Sequence, residues 1–262
     1  MSTSDLQLRY SHLVGTIKSR PANAALTSSA AAAVALFAAW VVSDFRAWKA
    51  FGTGGTPPTW SGYWRMTKLR LGRMFSGDDL TDSTGLSSSA GPSYIDGESL
   101  PVRDGPRPRI VSRTMPHRQV PYKSGTVAEG VEERTANMAA TFAARYPDIL
   151  ELRPSRSEGY SADGIYVRES LPTVNVECRN QKLIGTEVAH AHPAENSLHV
   201  WLSEADAKVV VAKGWGQRFP LPGIPRGWIM VYAPRTMEEV DVVERIVEAG
   251  IAWVSGVTTV LG

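Results

Sequence analysis

Three of the five histidines in this 262-residue chain stand within ten positions, in the stretch HAHPAENSLHVWLS that begins at His190. We expect EVAHAH and SLHVWL to form antiparallel strands joined by a turn at residues 193–196, in the register that pairs His190 with His199. Side chains of paired residues share a face of the sheet. A slip of one residue would turn the apolar residues of the second strand to that face, so the pattern supports the register. The face would carry His190, His192, His199 and Trp201.

Three clustered imidazoles are compatible with three kinds of site. Neutral imidazoles bind zinc, copper or iron. Alternatively, like-charge repulsion lowers the pKa values of packed imidazoles and keeps one of them neutral as a general base near pH 7. The third alternative is a solvated sheet face whose histidines only make hydrogen bonds. Glu195 falls in the turn, and alternation would place Glu187 on the opposite face.

The elements around this hairpin predict an α+β fold, with an antiparallel-rich sheet and packed helices, because strands and helices do not alternate regularly. Capping patterns at Thr126 with Glu129, Ser203 with Asp206, and Thr236 with Glu239 predict three helix starts. The predicted strands outside the hairpin cover residues 149–155, 164–170 and 227–233.

The N-terminal part has a different composition. After a tail at residues 1–24, residues 25–42 contain no charge, which is about the minimum length for a transmembrane helix. We expect a membrane-anchor helix at residues 25–43, with a cleaved signal peptide and a buried core helix as alternatives. Residues 44–75 combine basic and aromatic residues, as expected of a segment at a membrane surface.

The excess of basic residues after the predicted anchor places the C-terminal body in the cytosol, on the endoplasmic reticulum or another internal membrane. Residues 76–106, rich in Ser, Gly, Asp and Pro, are predicted to form a flexible linker before a catalytic domain at residues 107–262. The net charge of +2 gives no reason to expect nucleic acid as a partner. A single cysteine, Cys178, excludes an intrachain disulfide. The sequence leaves the oligomeric state open.

Three segments downstream of the histidines closely resemble the C-terminal half of the fungal luciferase family. They read KGWGQRFPL, GWIMVYAPR and EEVDVVERIVEAGIAW. The segment VAHAHPAENSLHVWL resembles that family's His-x-His and Leu-His region, in the same order. The resemblance covers most of the chain and is strongest over residues 186–253.

The resemblance implies an oxygenase that oxidises 3-hydroxyhispidin, or a related electron-rich pyrone, with O2. The reaction passes through a peroxide that loses CO2, and it requires no flavin or nucleotide. We therefore expect O2 as co-substrate, no cofactor and no metal; if a metal is present, the three histidines are its ligands. His190 or His192 would be the base that ionises the enol, with His199 orienting its neighbour. The candidate substrate-binding residues are Arg218, Arg235, Trp201, Trp215, Trp228, Tyr232 and Phe219.

Phe219 marks a departure from the family pattern, because the luminous members have a histidine at this position. If that histidine takes part in the chemistry of the luminous members, the substrate of this chain is a different pyrone or polyketide enol. Two alternatives stay open: a homologue that uses its histidines for hydrolysis, cyclisation or decarboxylation, and a membrane-tethered protein that only binds a ligand.

Overall fold

The computed structural model describes residues 3–19, 21–111 and 118–260. The chain divides into two compact units, Met1–Ala47 and Trp48–Gly262. The first unit consists of α1 (Thr3–Ser19), which lies in the predicted tail, and most of α2 (Pro21–Phe51). Within α2, Ala25–Phe51 is long and apolar enough to cross a membrane. Its large side chains Leu26, Val34, Leu36, Phe37, Trp40 and Val42 are exposed, whereas Trp48 near its end is buried. A signal sequence has the same length and composition, so this helix is weak evidence for the predicted anchor.

The second unit is built on one open sheet of six antiparallel strands, in the order β1-β2-β3-β4-β6-β5. This architecture confirms the predicted α+β class with an antiparallel sheet. The strands are β1 (Leu150–Pro154), β2 (Asp163–Val167), β3 (Glu187–Ala191), β4 (Leu198–Trp201), β5 (Gly216–Arg218) and β6 (Trp228–Val231). The helices of this unit are α3 (Trp60–Met74), α4 (Val131–Arg145), α5 (Val176–Asn180), α6 (Glu204–Ala212) and α7 (Met237–Ser255).

The predicted hairpin is confirmed in its register. β3 and β4 pair His190 with His199, and the backbone N–H of His192 donates to the carbonyl of Ser197 at 2.8 Å. The turn between them closes through Asn196, whose φ is 59°, a conformation that asparagine tolerates better than most residues.

Helices α4 and α7 cover one face of the sheet and leave the histidine face to other segments. α7 approaches so closely at Gly250 that a Cβ there would lie 2.9 Å from the carbonyl oxygen of Trp201. The predicted caps of α6 and α7 are confirmed, since Ser203 and Thr236 accept hydrogen bonds from the backbone N–H groups of Asp206 and Glu239. The cap predicted at Thr126 is wrong. α4 begins after Gly130, whose φ of 81° suits glycine, and makes no side-chain cap.

Residues 76–106, which we call the strap, contain no helix or strand but pack on the domain. Leu86, Ile95 and Leu100 are buried in the core. The Asp206 carboxylate, at the start of α6, accepts hydrogen bonds from the backbone N–H groups of Tyr94 and Ile95. The prediction of a flexible linker did not allow for this anchoring, because the Asp206 contacts span more than 100 residues.

Helix α3 has two contrasting faces. It buries Tyr63 and Met66 and is capped by Thr59. Its exposed side carries Trp64 and Leu71, interspersed with basic residues such as Lys68. This amphipathic pattern agrees with the composition that predicted a surface segment, and it leaves large apolar side chains exposed.

Candidate active site

A β-bulge changes which residues share the histidine face. β2 pairs Ile165 with Ala189 but Tyr166 with Glu187, so Val188 is an extra residue in β3. The bulge restarts the alternation of side chains. Glu187 therefore lies on the histidine face, where its carboxylate is 2.7 Å from Nδ1 of His190. The expectation that Glu187 projects to the opposite face is wrong for this reason.

The three predicted histidines form one buried cluster. Their ring centroids lie 4.8–5.3 Å apart. None of the three is more than 3% exposed. One nitrogen from each ring can be chosen so that the three atoms lie within 4.8 Å of one another. The alternative of a solvated sheet face is excluded, because the imidazoles are withdrawn from water.

The outer nitrogen of each imidazole faces a hydrogen-bond acceptor. His190 Nδ1 faces the Glu187 carboxylate, and His192 Nδ1 lies 2.8 Å from the Ser197 hydroxyl and 3.0 Å from a Glu195 oxygen. His199 Nδ1 lies 3.3 Å from the backbone carbonyl of Ile229. Carboxylates and carbonyls only accept, so Nδ1 carries the proton in the neutral rings and Nε2 keeps the lone pair. Among the described residues, His190 Nε2 has no hydrogen-bond partner.

A buried arginine binds two carboxylates beside this cluster. Arg118, 1% exposed, donates to both oxygens of Glu195 at 2.7 and 3.0 Å and to Glu158 at 2.7 Å. The other oxygen of Glu158 lies 3.7 Å from His190 Nε2 and 3.8 Å from His192 Nε2. Glu158 therefore lies between the Arg118 guanidinium and the Nε2 atoms of His190 and His192.

The charges around His190 favour the protonated form of its imidazole. Burial disfavours the charged imidazolium of His190, but the carboxylates of Glu158 and Glu187 outweigh burial and raise the pKa of His190 to about 9. The expectation that crowding would lower the histidine pKa is therefore wrong for His190, because the bulge and the Glu158 loop supply negative charge. Hydrogen bonds from His190, Ser155 and Tyr166 lower the pKa of Glu187 against the effect of its burial.

A cavity of about 250 Å³ opens beside the cluster, and both His199 and Glu158 form part of its wall. The cavity is otherwise largely apolar. Its other hydrophobic lining residues are Met66, Leu69, Leu183, Ile184, Phe219, Leu221, Ile224 and Trp228. Arg65 and Arg156 add two basic side chains. The combination of an apolar wall with a few polar groups is typical of small-molecule sites.

Three of the predicted aromatic residues lie at or near the histidines. The Phe219 ring meets His199 edge-on at 4.9 Å, and Trp228 stacks on His199 at 5.6 Å. Trp201 packs against Trp228 in a T-shaped arrangement at 6.4 Å. Phe219 and Trp228 therefore line the cavity, whereas Trp201 supports Trp228 from within the core.

The other four predicted residues bind or adjoin the strap. Arg218 donates to the backbone carbonyl of Asp79, and Arg235 donates to that of Asp104. The Trp215 indole donates to the carbonyl of Pro101 at 2.7 Å. Tyr232 lies under the guanidinium of Arg103, another residue of the strap, at 5.7 Å. The structure does not bring these four side chains to the histidines.

Sequence reasoning did not identify Arg118 and Glu158 as residues of this site. Arg118 is 77 residues from Glu195 and 40 from Glu158 along the chain, so no local pattern joins them. Gly55 and Gly159 were a sequence signal for close packing of the two segments that carry them. Gly55 and Gly159 have φ values of 70° and 66° and approach so closely that a Cβ on Gly159 would lie 2.9 Å from the Gly55 Cα. The Gly-rich segment 52–55 thus packs on the loop that carries Glu158.

The fold and the site define an α+β domain with a buried three-histidine cluster beside an apolar cavity of the kind typical of small-molecule sites. A family model described as the Luciferase domain matches residues 185–250, which include all three histidines. The luciferase of Armillaria ostoyae is 37% identical and that of Armillaria mellea 36% identical, each over 166 residues. The luciferase of Neonothopanus nambi is 34% identical over the same length.

These alignments cover 60% of this chain and 61% of each relative, so the chain spans about three fifths of the length of the curated relatives that it matches. No solved structure matches the chain. The matches confirm the predicted relationship to the fungal luciferase family.

Replacement of Arg118 tests how strongly the domain depends on its buried charges. Arg118→Met should destabilise the domain by about 3–5 kcal/mol, because it leaves two buried carboxylates without their cation. Arg134→Met is the matched control. Arg134 also pairs with a glutamate, Glu244, but its side chain is 36% exposed, so the loss should be about 0–1 kcal/mol.

The measurement is chemical denaturation followed by tryptophan fluorescence. Equal shifts of the two midpoints would contradict the special role of the Arg118 pairs.

Proposed function

We propose that this protein is a luciferase-like oxygenase that oxidises an electron-rich hydroxypyrone, 3-hydroxyhispidin or a close relative, with O2. The observation that carries the proposal is the buried cluster in which His199 and Glu158 reach the wall of an apolar cavity. The matches to fungal luciferases over the segment that holds the histidines support the same reaction class.

The chemistry requires a base, stabilisation of negative charge and exclusion of water. Once its enol is deprotonated, the pyrone becomes electron-rich enough to give an electron to O2. Both oxygen atoms then join the ring as a peroxide, and cleavage of the peroxide releases CO2 and leaves an open-chain keto acid. An anion that forms in a dry cavity is stabilised strongly by nearby fixed positive charge.

We propose Glu158, rather than His190, as the base. Glu158 forms part of the cavity wall, whereas carboxylates surround His190 and favour its charged form. The histidine cluster would then hold the positive charge that stabilises the enolate and the peroxide. Trp228 and Phe219 would flank the planar substrate.

The first test is O2 consumption by the purified full chain with 3-hydroxyhispidin and with a simpler 3-hydroxy-2-pyrone. Glu158→Gln should lower kcat by about 10²–10⁴-fold, because it removes the base but keeps the shape of the side chain. Glu169→Gln is the control, since the Glu169 side chain is 78% exposed. Circular dichroism checks that both variants fold.

If neither pyrone is consumed with O2 faster than in a control with heat-denatured protein, the oxygenase proposal is contradicted. A Glu158→Gln variant with the kcat of the unmodified chain would contradict the assignment of the base.

Phe219 offers a second test, directed at light emission. Its ring packs edge-on against His199, so a new imidazole there would lie beside the cluster and add a polar group to the cavity wall. We expect Phe219→His to increase the light emitted per O2 consumed with 3-hydroxyhispidin, because the variant restores the side chain of the luminous family members. Phe75→His introduces the same residue at a position that is 85% exposed and should leave the yield unchanged. Equal yields in both variants would show that Phe219 does not limit emission.

We also propose that the protein is membrane-anchored, with the catalytic domain in the cytosol. The apolar stretch of α2 supports an anchor, and the exposed tryptophan and basic side chains of α3 suit an anionic lipid surface. The full chain expressed in yeast should stay in the membrane pellet after alkaline carbonate extraction, with its N-terminal helices intact by mass spectrometry. Release into the supernatant, or loss of residues 1–42 by cleavage, would contradict the anchor.

A further inference from the structure

We propose that His190, His192 and His199 bind one divalent transition-metal ion through their Nε2 atoms. The inference deepens the proposed function and rests on it only for the reaction, because the geometry of the histidines carries the metal site by itself. The metal would supply the positive charge that the oxygenation requires beside the cavity.

The orientation of the three imidazole rings is that of metal-binding histidines. Each Nδ1 faces a protein acceptor: a carboxylate for His190, a hydroxyl and a carboxylate for His192, and a backbone carbonyl for His199. Metal-binding histidines almost always donate the N–H of the second ring nitrogen to such an acceptor, which fixes the tautomer and the ring orientation. One nitrogen from each ring can be chosen so that the three atoms lie within 4.8 Å of one another, which is close enough to share one ion after a small movement of the rings.

His190 Nε2 is fully buried and makes no hydrogen bond among the described residues. A Glu158 oxygen lies 3.7 Å away, beyond hydrogen-bond distance. A buried polar atom that makes no hydrogen bond costs free energy, and a ligand on this atom would remove that cost. Bonds of about 2.0–2.1 Å in a tetrahedral zinc site separate ligand nitrogens by roughly 3.4 Å, so loading would draw the three rings somewhat closer together.

Acidic side chains surround the cluster. Glu158, Glu187 and Glu195 are at most 4% exposed, and Arg118 is the buried cation among them. A Glu187 oxygen lies 2.7 Å from His190 and a Glu195 oxygen 3.0 Å from His192. A Glu158 oxygen lies 3.7 Å from His190 and 3.8 Å from His192. Carboxylates in these positions favour a bound cation over an anion at the histidines.

The ligand set also indicates the class of metal. Three imidazoles without a thiolate suit zinc, iron, copper or nickel rather than magnesium or calcium, which prefer oxygen ligands. A site with three protein ligands leaves a coordination position for water or substrate, as catalytic metal sites do. The cavity reaches the cluster at His199 and Glu158, so a substrate bound there would lie beside the ion.

The experiment measures metal binding directly on the full chain purified in detergent. Metal content by mass spectrometry is recorded as isolated and after stripping with chelator and reloading with Zn²⁺ or Co²⁺. We expect about one equivalent per chain, with visible absorption bands from Co²⁺ bound to nitrogen ligands. His192→Gln and His199→Gln should lose the ion, whereas His12→Gln, on α1, removes a histidine outside the cluster and should retain it.

Glu187→Gln provides a variant that leaves all three histidines in place. Removal of the carboxylate that orients His190 should weaken Zn²⁺ binding by about 10–100-fold without abolishing it. Circular dichroism identifies any variant that has lost its fold. The proposal is overturned if folded, unmodified protein binds less than 0.1 equivalent of Zn²⁺ or Co²⁺, or if His199→Gln binds either ion as tightly as the unmodified chain.

Failure of this proposal and failure of the proposed function are distinguishable. O2 consumption with the pyrone by protein that binds neither Zn²⁺ nor Co²⁺ would overturn the metal site and leave the oxygenase in place. Stoichiometric, histidine-dependent metal without O2 consumption on any hydroxypyrone would support the metal site and overturn the oxygenase.

Discussion

The Arg118 guanidinium, buried between Glu158 and Glu195, is the interaction on which the site depends. Burial of a charge is costly unless it is paired and hydrogen-bonded, so none of these three side chains is stable in the interior alone. Once paired, they fix the histidines from two sides. Glu195 and Ser197 hold the outer nitrogen of His192, and Glu158 lies against the inner nitrogens of His190 and His192.

The backbone around this charge network explains several otherwise unrelated features. Segment 52–55 packs on the loop of Glu158 through two glycines, and the Phe51 ring lies 4.9 Å from the Arg118 guanidinium. These contacts withdraw the network from water, which strengthens every electrostatic interaction inside it. The cavity adjoins the network at Glu158 and His199, so a small molecule bound there would meet the same electrostatic environment.

The sequence predicted the local parts of this site correctly. Alternation of apolar and polar residues was sufficient for the register that pairs His190 with His199, because a slip would have exposed the apolar face of the hairpin. Caps such as Ser203 were also local patterns. The position of Glu187 was not predictable from local alternation. It depends on the irregular pairing of β3 with β2, in which Val188 is an extra residue that restarts the alternation.

Long-range contacts account for the other differences. Arg118 reaches the site from a segment that precedes the sheet, and the strap is held by Asp206, more than 100 residues away. Arg218 and Arg235 illustrate the same limit: their chemistry suited an anionic substrate, but their partners are acidic residues and carbonyl groups of the chain itself. Residue type indicated which side chains carry charge, whereas only the fold determined what each charge contacts.

We have proposed that the oriented imidazoles, surrounded by buried carboxylates, hold a metal ion at the histidine cluster. The decisive measurement is X-ray absorption spectroscopy of the purified full chain loaded with one equivalent of zinc. We expect three imidazole nitrogens at about 2.0–2.1 Å from the metal, together with an oxygen ligand from water or a carboxylate. A spectrum without imidazole scattering, or with the zinc still fully hydrated, would contradict it.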